Sequence, residues 1–343
     1  MEKVLVGMSG GVDSSAAALI LKEKGYEVTG LTLKLCEFHK EQDLRDAKAV
    51  CKSLEIEHLT LDLKKDFREK VIDDFISQYK SGLTPNPCLE CNRYIKFGKM
   101  LDIALEKGFQ KIATGHYARV ERPGERFILK KAEDACKDQS YVLYSLTQHQ
   151  LSHLVLPLGD LTKAEIRAKA EAAGLVNANR PDSQDICFVP AGNYAAFIEK
   201  TDGFVSKKGT YTDINGKVLG ENKGIIHYTI GQRRGLGIAL GKYQYVLSKD
   251  AKTNTVVLGD EEHLFKKEIL VRDLNFIPFD ELRGEMRVKA KLRYRHLEQP
   301  ATIHPLENGN VKIVFDEPQR APSSGQAAVF YDGDIVIGGG KII

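Results

Sequence analysis

A chain of 343 residues with 42% apolar and 28% charged side chains has the composition of an ordinary globular protein, long enough for two or three cores. Its net charge of +3 is too small for a general polyanion-binding surface, so a basic site has to arise from local patterning. Six cysteines spread over this length exclude a disulfide scaffold, and no apolar run approaches the roughly 18 residues of a membrane helix. The start Met1-Glu2-Lys3-Val4-Leu5-Val6-Gly7 lacks the pattern of a secretory leader, so the expectation is a cytoplasmic protein that does not engage membranes.

In chain order, Lys3 to Met8 reads as a strand and Asp13 to Lys24 as a helix closed by Gly25, and Val28 to Leu35 reads as a second strand. Leu44, Ala47, Val50 and Leu54 recur at helical spacing, and His58 to Leu63 alternates like a strand. Phe67, Val71, Phe75 and Tyr79 mark one face of a further helix. Ile95 to Lys107 predicts a helix ending at Gly108, followed by a strand at Lys111 to Thr114. Repeated βα units of this kind predict an α/β fold with a parallel sheet, which binds its ligand beyond the carboxyl ends of the strands. After about residue 200, short alternating stretches are separated by the turn pairs Asn215-Gly216, Asn308-Gly309 and Asp332-Gly333. The expected division is an α/β domain over 1–200, a small β domain over 201–264 and a C-terminal β-barrel over 265–343.

Between the first strand and the first helix lies Gly7-Met8-Ser9-Gly10-Gly11-Val12-Asp13-Ser14. Glycines at such a turn let the backbone approach a phosphate, and the following helix offers unpaired N–H groups to it. Ser9 and Ser14 add hydroxyl donors, and Asp13 suits a magnesium-bound phosphate better than a bare anion. The loop has neither the Gly-x-x-x-x-Gly-Lys pattern nor Gly-x-Gly-x-x-Gly; it resembles the Ser-Gly-Gly-x-Asp-Ser loop of the ATP pyrophosphatases, which cleave ATP between the α and β phosphates.

Thr84 to Asn92 carries Pro85, Pro87, Cys88 and Cys91, and the prolines predict a loop there. Cys91, placed just before a helix starting near Ile95 and close to Arg93 and Lys96, is expected to favour its thiolate. Cys187 stands in the polar stretch Asp182-Ser183-Gln184-Asp185-Ile186-Cys187-Phe188. Cys51 reads as packing, while Cys36 and Cys136 show no strong functional signal. Arg287, Lys289, Lys291, Arg293 and Arg295 alternate with Val288, Ala290, Leu292 and Tyr294; as one strand they would form a row of five cations about 6.6 Å apart, suited to a polyanion. Arg233-Arg234 among glycines forms a second basic loop.

The phosphate loop, Asn86-Pro87 with Cys91-Asn92, Gly115-His116-Tyr117, Lys137-Asp138-Gln139-Ser140, Ile186-Cys187-Phe188, Gly231-Gln232-Arg233-Arg234-Gly235-Leu236-Gly237, Arg293-Tyr294-Arg295 and Gly325-Gln326 together resemble the tRNA-specific 2-thiouridylases, in order along the whole chain. That resemblance implies an adenine-nucleotide α-hydrolase-like (PP-loop) first domain with ATP and Mg2+ on residues 7–14, and Leu33 and Gly115 as further nucleotide contacts. It implies that the wobble uridine of the tRNA anticodon stem-loop is adenylated at its C2 oxygen. Cys187 then carries a persulfide, and Cys91 resolves it as a Cys91–Cys187 disulfide, with sulfur supplied by a cysteine desulfurase or a relay protein. Asn86, Pro87, Cys88, His116, Lys137, Asp138, Gln139, Arg293, Tyr294 and Gln326 match positions around the tRNA. Cys88 departs from the family pattern, which needs only Cys91; Cys88, Cys91 and Cys187 could alternatively hold an iron–sulfur cluster. A competing expectation is another ATP pyrophosphatase acting on a different substrate.

Overall fold

The computed structural model describes residues 1–37, 41–181, 185–189 and 193–343. Asp182, Ser183 and Gln184 of the stretch before Cys187 lie outside the described residues.

The first segment forms strands β1 (Lys3–Gly7), β2 (Glu27–Lys34), β3 (Glu57–Asp62), β4 (Lys111–Ala113), β5 (Arg119–Glu121), β6 (Ile128–Lys130) and β7 (Leu154–Val155). Its helices are α1 (Val12–Glu23), α2 (Glu41–Ser53), α3 (Lys64–Phe67), α4 (Asp73–Lys80), α5 (Pro87–Glu90), α6 (Met100–Glu106), α7 (Gln148–Ser152), α8 (Lys163–Ala172) and α9 (Tyr194–Asp202). The π-helical stretches Arg68–Ile72 and Cys91–Lys99 join α3 to α4 and α5 to α6 without a break. Strands β3-β2-β1-β4-β7 make a parallel sheet. In β1, Val4 and Val6 face a core with Ala16, Ala17 and Leu21 of α1, while Leu5 faces Phe97, Met100 and Ile112. A strand apolar on both faces is what a sheet covered by helices on each side requires. Gly30 admits α2, because a Cβ there would stand 2.5 Å from the Cys51 sulfur. Cys51 is thus a packing residue, its thiol pushed up to about 11 by burial.

The middle segment forms β8 (Gly209–Thr212), β9 (Val218–Asn222), β10 (Tyr245–Asp250) and β11 (Thr255–Gly259), in the order β10-β11-β8-β9. The last segment forms β12 (Phe265–Phe276), β13 (Met286–Lys291), β14 (Gln299–Pro305), β15 (Val311–Arg320), β16 (Ala327–Asp332) and β17 (Ile335–Ile342). These six antiparallel strands run β12-β15-β14-β13-β16-β17 and close on themselves through β12–β17, which removes the open edges a sheet would leave. Each of the three turn pairs noted in the sequence joins two strands of a hairpin: β8 to β9, β14 to β15 and β16 to β17.

Two expectations are corrected, and one strand pairing lies outside what the sequence analysis anticipated. The helix carrying the cysteines starts at Pro87 rather than near Ile95: Pro87 occupies the first helical position, where its missing N–H costs nothing, and Asn86 caps the end by accepting from the Cys88 N–H at 3.1 Å. The hairpin β5–β6 leaves the α/β segment and extends the barrel sheet through Ile335 opposite Lys130. It is fixed there by Asp334, which pairs with Arg119 at 3.0 Å and Lys130 at 3.1 Å. The five-cation row does not exist, because β13 ends at Lys291. Arg287 pairs with Asp316, Lys291 stands over the Tyr294 ring, and Arg293 turns inward.

Candidate active site: a phosphate loop and a thiol cluster

The phosphate loop is built from the end of β1 to the start of α1. Gly10 has φ +78°, and a Cβ on it would lie 2.4 Å from the Asp43 carbonyl oxygen, so this position demands glycine twice over. Its own carbonyl is held from outside by Asn177 Nδ2 at 2.8 Å and Arg180 Nη1 at 3.2 Å, and Arg180 is in turn fixed by Asp43 and Asp46. Inside the loop the Ser9 N–H donates to Ser14 Oγ at 3.2 Å and Ser14 Oγ donates to the Gly11 carbonyl at 2.9 Å. Among the described residues the Gly11 N–H finds only a long 3.4 Å contact with Ser9 Oγ, leaving the entrance to α1 rich in donors. That arrangement suits an anionic, phosphate-sized group.

Asp13 Oδ1 accepts from Lys163 Nζ at 2.7 Å and from the Tyr117 hydroxyl at 2.7 Å. Lys163, buried and unremarkable in the sequence, opens α8 behind a Thr162/Glu165 capping box, a signal that places the helix start but not the lysine. It brings a cation beside the acidic group of the loop. Gly115, just past β4, packs against the first turn of α1 so closely that a Cβ would stand 2.7 Å from the Asp13 carbonyl carbon. Leu33, at the end of β2, is half-buried between two cores.

From Gly115 the chain turns toward the sulfur chemistry. His116 is buried with its ring 5.5 Å from that of Phe97, and its Nδ1 meets Thr114 Oγ1 at 2.7 Å. Burial first, and Lys96 second, hold it well below the usual histidine range, so it is neutral at physiological pH. Cys91, in the turn beyond α5, is buried near Lys96, and Cys187 folds back close enough to Cys91, Cys88 and Cys36 for their charges to interact. Phe188, beside Cys187, packs edge-on to Phe67 at 5.5 Å and Phe75 at 5.4 Å; those rings and Cys91 belong to one core. Residues 96 apart in the chain are thereby neighbours.

The expected thiolate at Cys91 is overturned. Burial pushes its pKa up to about 11, outweighing the opposing pull of Lys96, because the residue lies inside a continuous helix rather than at its free N-terminus. Cys187 is pushed up to about 12, by burial first and then by Cys91 and Cys88. Solvent reaches Cys88 and Cys187, yet enough protein surrounds each sulfur to raise its pKa. All six cysteines are free thiols. Among the described residues no three His, Cys, Asp or Glu side chains converge as metal ligands.

The remaining predicted positions surround this cluster. Asp138 organises its own turn, accepting from the Ala132 and Ser140 N–H groups at 3.1 Å each. Gln139 exchanges bonds with the Tyr117 backbone, and its side chain reaches the Tyr294 hydroxyl, placing Lys137-Asp138-Gln139 beside Tyr294. Tyr294 also lies within electrostatic reach of Cys88. Arg293 Nη2 donates to the Ala321 carbonyl at 2.6 Å, Ser323 Oγ at 2.8 Å and the Ile230 carbonyl at 3.4 Å, tying barrel to middle segment. Gln326 Nε2 donates to the Thr84 carbonyl at 2.8 Å, and the Thr84 N–H donates to the Ser324 carbonyl at 2.9 Å, so the barrel holds the start of the Thr84–Cys91 segment. Glu90, buried beside Cys91, pairs with Lys341 of β17 at 2.7 Å. Sequence reasoning missed Lys163, Asn177, Arg180 and Lys341, whose partners lie far away in the chain.

Comparison with known proteins agrees with this assembly. Residues 2–191 match the family profile described as a tRNA methyl transferase HUP domain, 196–260 the PRC-barrel domain of the same group, and 266–342 an aminomethyltransferase β-barrel domain. The chain is 50% identical to the tRNA-specific 2-thiouridylase MnmA of Acetivibrio thermocellus, over 99% of this chain and 99% of that protein. It is likewise 50% identical to the protein of that name from Treponema denticola, over 99% of this chain and 97% of that one. The same name is carried by a Clostridium beijerinckii protein 46% identical over 99% of this chain and 98% of its own length. Full-length identity at this level, on a fold that joins a phosphate loop to paired thiols, shows that the chain belongs to the tRNA-specific 2-thiouridylase family.

Proposed function

We propose that the protein is a tRNA-uridine 2-sulfurtransferase that activates the C2 oxygen of the wobble uridine with ATP and replaces it by sulfur carried on Cys187. One observation carries the reading. The segment leaving β4 touches both halves of the chemistry, with Gly115 and Tyr117 on Asp13 of the phosphate loop and His116 on Phe97, one residue from the Lys96 that faces all three thiols. A methyl transfer, which the family description would suggest, uses neither a phosphate loop of this kind nor neighbouring thiols.

In the proposed reaction ATP is a substrate held by residues 7–14, with Leu33 and Gly115 bordering the nucleotide. Lys163 and the open N–H groups at Gly11 favour the negative charge that develops as pyrophosphate leaves. Asp13, whose side chain keeps 31% of its exposure, would be the residue to hold Mg2+, which would supply positive charge for the departing pyrophosphate. Attack of the uridine O2 on the α-phosphate breaks the bond to pyrophosphate and leaves an adenylated base. The terminal sulfur of a Cys187 persulfide adds to C2 and AMP leaves. Cys91 then attacks the Cys187 sulfur; the S–S electron pair returns to the sulfur now on the base, giving 2-thiouridine and a Cys91–Cys187 disulfide, which two cellular thiol equivalents reduce. A cysteine desulfurase or relay protein reloads Cys187, which fits a reducing cytoplasm. The target base is turned out of its stack, received by Asn86, Pro87, Cys88, Lys137, Asp138, Gln139 and Tyr294; His116, Arg293 and Gln326 support the walls of that site. We assign the chemistry to residues 1–200, with 201–264 and 265–343 as the domains that grip the tRNA.

The test is a Cys187→Ala protein assayed with ATP and unmodified tRNA. Pyrophosphate should still be released in a tRNA-dependent manner, while nucleoside mass analysis finds no 2-thiouridine. Normal thiolation by this variant would defeat the assignment.

A further inference from the structure

The Ile230–Tyr245 excursion of the middle segment is not used by the chemistry above. It leaves Ile230, whose carbonyl Arg293 holds, and returns through Val246, which exchanges backbone bonds with Gly231 and Gln232 at 2.8 and 3.0 Å. Midway the loop is pinned, because Leu236 is buried and its carbonyl accepts from the Tyr211 hydroxyl at 2.7 Å. The two lobes on either side enclose a groove of about 280 Å3 whose rim carries Arg233, Lys242 and Tyr243. Tyr243 is 75% exposed, an unusual position for an aromatic ring, and the Arg233 guanidinium lies 4.8 Å from its centroid. Lys242 is balanced by Asp260 at 2.8 Å, whereas among the described residues neither Arg233 nor Arg234 meets a carboxylate. Gly235, Gly237 and Gly241, with φ between +72° and +74°, let both lobes turn sharply.

One guanidinium that meets no carboxylate among the described residues, set beside an exposed ring and followed in the chain by a second arginine, on a groove whose lining includes Leu236, Ile238 and Leu240, matches the chemistry of a single-stranded nucleic acid: phosphate for the cations, a base face for the ring. We infer that this groove is a second RNA-binding surface, on which Tyr243 stacks an unpaired base while Arg233 and Arg234 hold its flanking phosphates. The inference rests on the tRNA reading given above and extends it. Arg293 links the two places physically: it fastens Ile230 at the foot of the loop and immediately precedes Tyr294, beside Gln139 and Cys88. A tRNA engaged at Tyr294 can thus continue onto the loop, so that substrate capture does not rest on the target base alone.

The experiment measures binding of full-length unmodified tRNA to the whole protein at several salt concentrations, with Cys187 persulfide loading by a cysteine desulfurase as a parallel assay. Tyr243→Ala should weaken tRNA binding about 5- to 100-fold, whereas Tyr243→Phe, which keeps the ring face, should bind like the parent. The double variant Arg233→Ala/Arg234→Ala should flatten the slope of log affinity against log salt by about 1.4, two single-strand phosphate contacts. Persulfide loading should be unchanged in all three. Folded variants with parental affinity and slope would overturn the inference; so would variants that keep tRNA affinity but lose persulfide loading, which would make the groove a protein-docking surface. A parent protein that binds no tRNA would instead remove the functional reading itself.

Discussion

The phosphate loop and the thiol cluster are positioned in different ways. The loop is a short sequence whose conformation follows from its own glycines and serines, and whose supports, Asn177, Arg180, Lys163 and Tyr117, all come from the α/β segment. The cluster has no such autonomy. Cys91 is placed by a helix that Glu90 and Thr84 bind to the barrel through Lys341, Ser324 and Gln326, and Cys187 is placed by Phe188 in a core that also includes Tyr211 and Val246 of the middle segment. Activation of the base can thus be a property of one domain, while sulfur delivery depends on all three being docked. The raised thiol pKa values reflect the same docking: the protein packed around Cys91 and Cys187 favours the protonated thiol at neutral pH.

The comparison is most sharply tested at Gly10. Gly10→Ala forces a Cβ against Asp43 at a left-handed φ, and nucleotide-dependent pyrophosphate release should fall by about 1000-fold or more, with strain of about 1–3 kcal/mol showing in thermal unfolding. Persulfide loading of Cys187 by a desulfurase should survive. If loading fails as well, the two sites are not separable. Lys163→Met removes the cation beside Asp13; pyrophosphate release should drop about 100-fold, read in single turnover, with tRNA affinity changed little.

Accessibility of the thiols gives the next effect. Because the thiolate reacts and the Cys91 pKa lies near 11, alkylation of Cys91 should accelerate about tenfold for each pH unit between 7 and 10 without levelling off. A rate, followed by peptide mass analysis, that levels off above about pH 9, as for a thiol of ordinary pKa about 8.5, would contradict its burial. The smallest effect is expected at the barrel contact. Gln326→Ala deletes a single hydrogen bond to Thr84 and should cost about 1 kcal/mol of stability. It should slow thiolation a few-fold while leaving pyrophosphate release intact; equal losses in both would remove the distinction between a one-domain and a three-domain site.

Much of the first segment was legible because its signals are local. Gly25, with φ +85°, ends α1 where a glycine stop was read, and Phe67, Val71, Phe75 and Tyr79 are all buried along one face although a π-helical stretch runs through them. Other readings failed where a local rule has two outcomes. A proline within a segment argues against a helix, but Pro87 equally suits the first helical position when a capping residue precedes it. The alternation from Arg287 to Arg295 fitted a strand, but alternation cannot say where pairing stops, and here it stops at Lys291.

By itself the sequence determined the order of βα units, the phosphate loop, the hairpin turns of the β segments and the candidate cysteines, because each of these is written in residues a few positions apart. The tertiary structure alone decided that Cys187 meets Cys91, that Lys163 faces Asp13, that β5–β6 joins the barrel and that burial outweighs Lys96 at the thiols. Those outcomes depend on desolvation and on contacts between residues tens to hundreds of positions apart, and both are fixed only when separate elements dock.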